Sequence, residues 1–449
     1  MSRIAFTTLG CKVNQSDTAV IQSSINDCRE YTIVPFDDEA DIYVVNTCTV
    51  TGKGDVESRR LIRKAIRRNS RARIIVTGCY AQTKPGEVAK IKGVSMVLGN
   101  EEKYSFMNYL RHHDDGTDNQ KIFVGDISDK ITMPPPGLNN FSERTRAFLK
   151  IQDGCNSKCS YCIVPFARGN SRSLSPDDVV TQIGVLEEAG YKEIVLCGVH
   201  LGGYGRDISY SISLSSLIGR ILSETDILRI RLSSIEPREI TDDLISLMAS
   251  DERICKHFHI PLQSGDDYIL HQMNRNYATE VFENLILKIR GKIEDAGIGC
   301  DVMVGYPGEE DQHFNNTCRF IEGLPVTYLH VFTYSPRNGT PAYDIKETVG
   351  GDIKRKRSDV IRALGEKKNN KFKDSHIGRV VEVLIEAEED EATGLSKGYT
   401  GNYLKVLIMP PLIRRGEREL LAGKGGVVKV KISGIVNDSL SGVLLNVCE

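Results

Sequence analysis

Hydrophobic residues form two patterns along residues 1–126. Some stand together in short apolar runs, and others recur every three or four positions over longer stretches. The short runs are typical of buried β-strands and the longer stretches of amphipathic helices. Three of the runs are Ile4–Thr8, Ile42–Asn46 and Ile74–Thr77. Strands that alternate with helices predict a parallel α/β domain over residues 1–126. A Pro-rich tract at residues 127–143 predicts a stiff linker after it.

Residues 144–373 repeat a strand-like run six times, and most of the intervals have a helical pattern. Those helical patterns include Pro176–Ala189 and Glu280–Ala296. The strand-like runs are Phe148–Gln152, Glu193–Val199, Leu228–Ser233, Phe258–Leu262, Asp301–Val304 and Tyr328–Thr333. Six such units without early antiparallel pairing predict a partial (βα)6 barrel, in which functional residues lie at the carboxyl ends of the strands.

Residues 374–449 alternate apolar and polar positions in strand fashion, with glycines at the turns. This pattern predicts a small antiparallel β-barrel, a fold that often binds nucleic acid. From Asp374 onward the region has 9 Lys and Arg against 11 Asp and Glu. Only a local face, such as the one that carries Arg414, Arg415 and Arg418, can therefore bind phosphates. The alternative is a purely structural end-cap.

Cysteines follow directly after the three strands of the first region, at Cys11, Cys48 and Cys79. If these strands are parallel neighbours, their carboxyl ends share one edge of the sheet, so the three thiols meet in space. The alternative is that each cysteine is a small buried residue at a strand end. We expect a metal site here, because a second array of three cysteines occurs later in the chain.

That second array, Cys155-x3-Cys159-x2-Cys162, lies in one loop after a predicted strand. Clustered thiols in a chain without secretory features indicate iron–sulfur or zinc rather than disulfides. A structural zinc site would require a fourth ligand, and no further Cys or His occurs between Asp153 and Arg172. The array therefore favours a cubane cluster with one iron left open to a ligand.

The other cysteines and three of the histidines receive a structural interpretation. Cys197 and Cys300 lie within apolar strands, where a small hydrophobic residue suffices. The same interpretation covers Cys28, Cys255, Cys318 and Cys448. We expect the histidines to pack or to form hydrogen bonds rather than to bind metal. They are His200, His257 and His259.

The net charge of −2 gives no global indication of nucleic-acid binding, so such a function requires a local basic surface. One candidate is the amphipathic helix predicted between the second and third strands, whose buried stripe begins at Val56. Its outer faces carry Arg63, Arg67 and Arg68, which we interpret as facing phosphates rather than only solvent. Without a membrane-spanning apolar run or a signal pattern, we expect a cytoplasmic protein.

The loop with Cys155, Cys159 and Cys162 has Tyr161 before its last cysteine, and in this it resembles the cluster-binding loop of radical S-adenosylmethionine (SAM) enzymes. The resemblance implies a 4Fe-4S cluster whose open iron binds SAM, with Tyr161 beside the adenine. The common Gly-Gly-Glu form after the second barrel strand is absent. By the same resemblance, glycines in GVHLGGYG and DVMVGYPGE are further SAM contacts, namely Gly198, Gly202, Gly203 and Gly305.

Over essentially its whole length the chain resembles the radical SAM methylthiotransferase family. TLGCKVNQ, GVHLGGYGRD, HIPLQSGDD and LHVFTYSPRNGTPA are most similar to the branch that acts on threonylcarbamoyladenosine in tRNA. The resemblance implies a second 4Fe-4S cluster on Cys11, Cys48 and Cys79, and a C-terminal RNA-binding barrel of the TRAM type. It also implies no catalytic side chain beyond the clusters and SAM. The implied partners are a tRNA anticodon stem-loop and an electron donor such as flavodoxin or ferredoxin.

The function that this resemblance implies is insertion of a methylthio group at C2 of threonylcarbamoyladenosine at tRNA adenosine 37, next to the anticodon. An aromatic C–H is too weak an acid for acid–base catalysis, so the cofactor has to supply the difficult step. Alternatives within the family are isopentenyladenosine in tRNA and a ribosomal protein side chain. An alternative from another class is a non-catalytic iron–sulfur or zinc RNA-binding protein.

Overall fold

A computed structural model describes residues 1–26, 28–112, 122–135, 137–138, 145–346, 348–409 and 426–445. These residues form a parallel sheet, then two sheets that together make a partial barrel, and last a closed barrel. This is the α/β architecture that the sequence predicts. The domain boundaries near residues 126, 143 and 373 stay predictions. No helix among the described residues is long and apolar enough to cross a membrane.

The first sheet is parallel throughout, in the order β2-β1-β3-β4-β5-β6. Its strands are β1 (Ser2–Thr8), β2 (Tyr31–Val34), β3 (Ile42–Thr47), β4 (Arg73–Gly78), β5 (Val94–Leu98) and β6 (Ile122–Phe123). The helices are α1 (Lys12–Asn26), α2 (Gly52–Arg68), α3 (Cys79–Thr83), α4 (Pro85–Ala89) and α5 (Phe106–His112). Strands β1, β3 and β4 are neighbours, so the prediction that their carboxyl ends share one edge is confirmed.

Side chains of β3 point alternately to the two faces of the sheet, and helices cover both faces. All six residues of β3 are buried. Tyr43 and Val45 pack in a cluster with residues of α2 and α4, whereas Val44 packs on the other face with residues of α1 and α5. A central parallel strand needs apolar side chains on both faces for this reason.

At its first turns, helix α2 buries a different set of residues from the one that the sequence predicts. Ile62 is buried as predicted, but the prediction for Val56 is wrong, since it is 58% exposed. Asp55 and Ser58 are buried in its place. Ser58 donates to the carbonyl oxygen of Cys48 at 3.1 Å. Polar contacts to the neighbouring loop therefore set the rotation of this helix.

Six parallel strands and one short antiparallel strand form the central region. The parallel strands are β7 (Arg146–Asp153), β9 (Glu193–Gly198), β10 (Arg229–Leu232), β11 (His257–Gln263), β12 (Gly297–Val304) and β13 (Tyr328–Thr333), and the short strand is β8 (Arg172–Ser173). The helices are α6 (Val164–Arg168), α7 (Pro176–Glu188), α8 (Leu214–Glu224), α9 (Asp242–Ser250), α10 (Asp267–Gln272), α11 (Thr279–Lys292), α12 (Asp311–Gly323) and α13 (Gly351–Asp374).

The strands of the central region run in the order β8-β7-β9-β10 and β11-β12-β13. Parallel bridges from Ile230 to Ile254 and from Ser234 to His259 join the two sheets. The prediction of a partial (βα)6 barrel is therefore confirmed. The short strand β8 was not predicted, and it pairs antiparallel with the end of β7, where it closes the loop that contains Cys155.

The last region is a closed barrel in the order β14-β15-β16-β18-β17, so the predicted small barrel is confirmed. Its strands are β14 (Val380–Glu389), β15 (Ser396–Thr400), β16 (Lys405–Ile408), β17 (Val427–Val436) and β18 (Ser439–Leu444). The sequence did not predict β15, because SKGYT offers little apolar alternation. One pair, β16 with β18, is parallel, whereas the other pairs are antiparallel.

This closed barrel also covers one end of the central barrel. Arg231, on β10, donates to the carbonyl oxygens of Thr400 (3.1 Å) and Gly401 (2.9 Å). A Cβ atom on Gly297, the first residue of β12, would lie 2.1 Å from the carbonyl oxygen of Asn402. The loop between β15 and β16 therefore closes the amino-terminal end of the central strands, as the end-cap alternative proposed.

Candidate functional site

The first three cysteines, which we call the sheet triad, are Cys11, Cys48 and Cys79 at the carboxyl ends of β1, β3 and β4. Gly10 has a φ of 98°, and a Cβ atom there would lie 3.1 Å from the Cys48 sulfur. Glycine thus allows the two loops to approach each other. The thiols act on one another electrostatically, Cys79 on Cys11 and both on Cys48. The structure therefore brings together the three cysteines that strand polarity predicted to meet.

Asn14, on the first turn of α1, connects the loops of the sheet triad. Its amide nitrogen donates to the carbonyl oxygens of Leu9 (2.7 Å) and Thr47 (3.0 Å). Its side-chain oxygen accepts a bond from the Cys79 thiol at 3.9 Å. Burial and the neighbouring Cys79 raise the pKa of Cys48 to about 12. This thiol is therefore protonated at neutral pH when no metal is bound, and metal binding releases the proton.

The second set, which we call the loop triad, is Cys155, Cys159 and Cys162 between β7 and α6. Gly154 opens the loop with a φ of 72°, and a Cβ atom there would lie 1.9 Å from the carbonyl oxygen of Asn170. The backbone N–H of Cys162 donates to the carbonyl oxygen of Cys159 at 3.1 Å. Burial raises the pKa of Cys162 to about 12, and the other two thiols add to the effect. The loop therefore holds three thiols within electrostatic range of one another.

Two charged side chains contact the loop triad, namely His200, which the sequence predicted to pack or to form hydrogen bonds, and Arg275, which the sequence did not single out. His200 Nδ1 lies 3.7 Å from the Cys155 sulfur, and its Nε2 lies 3.0 Å from Glu239. Arg275 donates to the Cys159 sulfur at 3.4 Å. Burial would lower the pKa of His200, but Cys155 and Glu239 raise it to about 10. These cations favour the thiolate form that a metal requires.

Buried charges lie between the sheet triad and the start of the loop triad. Asp17 on α1 pairs with Lys103 and Arg168, and Lys150 pairs with both Asp17 and Asp153. Arg168 also pairs with Asp153, at 3.1 Å. All five side chains are at most 3% exposed. The network therefore joins the first sheet to the central barrel.

This network has a surplus of positive charge, since three cations face two carboxylates. The surplus lies beside the sheet triad, because Arg168 interacts electrostatically with both Cys11 and Cys79. Buried charge is costly unless it is offset, and three thiolates would offset it. A closed zinc site requires four ligands, and the described residues show no fourth cysteine or histidine in contact with the sheet triad. His200 contacts the loop triad only through Cys155 and pairs with Glu239 on its other nitrogen. The donor set and its surroundings therefore fit an iron–sulfur cluster.

The two triads lie on the same side of the molecule. Arg337, from the loop after β13, donates to the carbonyl oxygen of Thr49 at 3.1 Å and pairs with Asp55 at 2.8 Å. The backbone N–H of Gly52 donates to the Ser335 hydroxyl at 2.9 Å. Thr49 and Gly52 follow the sheet triad closely in sequence. The carboxyl edge of the first sheet therefore meets the carboxyl ends of the barrel strands.

Tyr161 and the four candidate glycines lie around the loop triad and the barrel mouth. Tyr161 packs against a small apolar cluster. A Cβ atom on Gly202 would lie 2.4 Å from Glu239, and Gly305 has a φ of 74° with Lys354 close by. Gly198 packs against Gln152, and Gly203 makes only ordinary contact with His200. Internal packing already requires glycine at most of these positions, and SAM binding by them stays a prediction.

Three polar side chains inside the central barrel could also bind a cation. Nitrogen and oxygen atoms of His259, Asp301 and His330 all lie within 4.8 Å of one another. His259 Nε2 is 2.9 Å from Asp301, and the Tyr328 hydroxyl bonds to His257 at 2.7 Å and to His259 at 3.2 Å. These bonds occupy both ring nitrogens of His259 and one of His257, as the hydrogen-bonding interpretation predicted for these two residues, whereas His257 Nδ1 is buried without a partner among the described residues.

The predicted RNA-binding arginines fall into two groups. Arg63 and Arg67 are exposed on α2 and make no hydrogen bond or ion pair with any described residue. Arg68 is exposed too, but it pairs with Asp37 at 3.0 Å. Arg414, Arg415 and Arg418 lie outside the described residues, as does Cys448.

Two family models match the chain. One is described as Uncharacterized protein family UPF0004 and matches residues 3–99. The other is the Radical SAM superfamily and matches residues 149–321. A solved structure of the radical SAM methyltransferase TsrM from Kitasatospora setae has a TM-score of 0.57 at 15% identity, over 76% of this chain and 77% of that one. This similarity concerns the fold alone.

Two curated relatives cover nearly the whole chain. The threonylcarbamoyladenosine tRNA methylthiotransferase MtaB of Bacillus subtilis is 39% identical, over 96% of this chain and 94% of its own length. The protein of the same name from Aquifex aeolicus is 38% identical, over 85% of this chain and 92% of its own. The chain therefore belongs to the radical SAM methylthiotransferase family, in the branch of the threonylcarbamoyladenosine tRNA methylthiotransferases.

Proposed function

We propose that the chain inserts a methylthio group at C2 of threonylcarbamoyladenosine at position 37 of tRNA, next to the anticodon. The observation that carries the proposal is the pair of cysteine triads on the same side of the molecule. Two near-full-length relatives that are named for threonylcarbamoyladenosine support the choice of substrate over isopentenyladenosine.

In this proposal each triad holds a 4Fe-4S cluster. When bound, the loop-triad cluster with SAM supplies the radical that removes the C2 hydrogen, and the sheet-triad cluster supplies the sulfur. The residues of the chain contribute position and charge. His200 and Arg275 place positive charge beside the loop triad, and Arg168 does the same for the sheet triad. These charges stabilise the thiolate form of the ligands.

Substrate and cofactor contacts follow from the same arrangement. Tyr161, Gly198, Gly202, Gly203 and Gly305 would contact SAM at the barrel mouth. The RNA phosphates would bind to α2 and to the C-terminal barrel. The proposed basic residues there are Arg63, Arg67, Arg68, Arg414, Arg415 and Arg418. A base in the anticodon loop is only partly stacked, so turning it into the barrel costs little. An electron donor such as flavodoxin or ferredoxin would reduce the loop-triad cluster.

Anaerobic reconstitution of triad variants tests this division of labour. The wild-type chain should bind about eight irons, and a variant with alanine in place of the sheet triad should bind about four. That variant should still form 5′-deoxyadenosine from SAM but should transfer no methylthio group. The corresponding loop-triad variant should lose both activities. Replacing Cys28 and Cys318, which belong to neither triad, provides the control and should change nothing.

Two results would contradict the proposal. Bound zinc without SAM cleavage would support the non-catalytic RNA-binding alternative. A methylthio group found on a ribosomal protein, with none on tRNA, would support the protein-modifying alternative. Incubation of the reconstituted chain with tRNA and with ribosomal protein in one assay distinguishes these results from the expected one.

A further inference from the structure

Lys12 extends from the sheet triad into the central barrel. It is the first residue of α1 and directly follows Cys11. Its Nζ lies 5.8 Å from the ring centroid of Tyr403, which belongs to the loop that closes the other end of the barrel. Lys12 makes no hydrogen bond or ion pair with any residue that the structure describes. Its ammonium group is therefore held inside the barrel without an anionic partner.

Other cations surround the same tyrosine ring. The guanidinium groups of Arg231 and Arg146 lie 4.8 Å and 5.7 Å from the centroid of Tyr403. Arg229 is adjacent and shares Glu193 with Arg231. The only carboxylates that pair with this set within the described chain are Glu193 and Glu386. Four cations, Lys12 and the three arginines, therefore face two carboxylates.

The pKa of Tyr403 reflects the positive electrostatic potential of this region. Burial alone would raise the pKa of its phenol. The neighbouring cations Lys12, Arg146 and Arg231 nevertheless lower the pKa of Tyr403 below its ordinary value. The two carboxylates already form ion pairs with the arginines, so they do not balance the charge of Lys12. An anion from outside the chain would balance the charge of Lys12.

We propose that Lys12 binds the carboxylate of the threonylcarbamoyl group and thereby selects this base over one with an uncharged substituent. The inference rests on the proposed function. Threonine contributes a carboxylate to the modified base, whereas a dimethylallyl group is apolar and carries no charge. A hydrogen bond between two charged groups in a region of low dielectric constant is strong and discriminates well against a neutral analogue.

The position of Lys12 in the chain suits this role. Neighbouring Cα atoms are about 3.8 Å apart, so Cys11 and Lys12 can face different parts of one bound base. Cys11 belongs to the triad that would carry the sulfur for C2. Lys12 would then reach the substituent on the N6 atom of the same ring. Selection of the substituent and placement of C2 would thus be coupled through two adjacent residues.

Binding of synthetic anticodon stem-loops tests the inference without turnover. One RNA carries threonylcarbamoyladenosine as the free acid, and the other carries its methyl ester, which removes the charge. Fluorescence anisotropy is measured on the protein with both clusters and without reductant. Wild type should bind the acid about 10- to 100-fold more tightly than the ester. Lys12→Met should lose this preference, and Lys12→Arg should retain most of it.

Controls separate a specific contact from general electrostatics and from misfolding. Lys53→Met removes an exposed lysine near the barrel mouth and should weaken the acid and the ester equally. Iron content equal to that of wild type shows that a variant has assembled. If Lys12→Met does not assemble, Lys12→Gln removes the charge with a smaller loss of polarity. The comparison of acid and ester on wild type requires no variant.

Several results would overturn the inference. Equal wild-type affinity for acid and ester would do so, as would an unchanged preference in Lys12→Met. SAM also has a carboxylate, so SAM affinity is measured by equilibrium dialysis. A loss of SAM binding in Lys12→Met with the RNA preference intact would assign Lys12 to SAM instead. If wild type methylthiolates neither RNA, the proposed function itself fails, whereas methylthiolation of both at equal affinity refutes only the role of Lys12.

Discussion

Glu193→Gln tests the ion pairs that connect the central barrel to the C-terminal barrel. The Glu193 side chain is fully buried and forms ion pairs with Arg231 at 2.7 Å and Arg229 at 3.1 Å. Both arginines also donate to carbonyl oxygens of the C-terminal barrel. Burial would raise the pKa of Glu193, but the arginines lower it from 4.5 to about 2. The difference of about 2.5 pKa units corresponds to about 3 kcal/mol of stability.

The pH dependence follows from the sign of this shift. Because folding lowers the pKa of Glu193, its stabilisation is fully present above pH 4.5 and is lost as the pH falls towards 2. Urea unfolding of Glu193→Gln at pH 7 should therefore give a free energy about 3 kcal/mol below that of wild type, a value within the range for broken buried ion pairs. The difference should shrink between pH 4.5 and pH 2.

Hydrogen exchange locates the effect and an exposed glutamate provides the control. Amide exchange in residues 396–408, where the arginines bond to the C-terminal barrel, should increase in Glu193→Gln. Glu188→Gln makes the same change at an exposed position on α7 and should have no measurable effect. A loss below about 1 kcal/mol at pH 7, or a loss that persists unchanged near pH 2, would refute the reasoning.

Three further predictions follow from other contacts. Replacing Arg63 and Arg67 with glutamine should weaken tRNA binding and reduce its log–log salt slope by about 1.5 in filter-binding assays. Tyr403→Ala should lower the free energy of urea unfolding by about 2–4 kcal/mol, because the ring packs against His257 and several cations. Asp17→Asn leaves three buried cations facing one carboxylate, so it should cost about 3–5 kcal/mol and accelerate trypsin cleavage after the first sheet.

Each of these predictions has a contradicting result, and the first two also have a control variant. Lys292→Gln removes an exposed lysine on α11, and an equal change of salt slope there would show that α2 has no special role. Tyr403→Phe keeps the ring, so a loss as large as that of alanine would contradict the packing argument. Asp17→Asn with wild-type stability would show that the buried network does not hold the first sheet to the barrel.

Strand polarity made the sheet triad predictable. Cys11, Cys48 and Cys79 are far apart in sequence, but each follows a strand, and parallel neighbours place their carboxyl ends together. The loop triad was predictable because its three cysteines share one loop. The sequence alone therefore predicted both sets of thiols, and the partial barrel followed from the repeated strand-like runs.

Long-range side-chain contacts were not predictable in the same way. Asp17, Lys103, Lys150 and Arg168 come from four separate elements, and no spacing in the sequence indicates that they meet. Val56 follows the helical period but is exposed, because polar bonds to the loop after β3 rotate α2. The contact of the Lys12 ammonium with Tyr403 joins the first region to the C-terminal barrel, and no local sequence pattern indicates it.

The C-terminal barrel illustrates why two interpretations of one region can both hold. Its slight excess of acidic residues argues against a uniformly basic RNA-binding surface. Its loop with Asn402 and Tyr403 nevertheless closes the central barrel, which a sequence pattern of strands does not indicate. This region therefore has a structural role at the end of the central barrel, beside the RNA contact that stays a prediction.

Nucleoside mass spectrometry of tRNA tests the central claim most directly. The reconstituted chain is incubated anaerobically with SAM, a reductant and tRNA that carries threonylcarbamoyladenosine. The account predicts that one methylthio group appears on this nucleoside when both triads are intact and on none when either triad is replaced by alanine. A protein that holds both clusters and cleaves SAM, yet leaves threonylcarbamoyladenosine unchanged or modifies a different nucleoside, would contradict it.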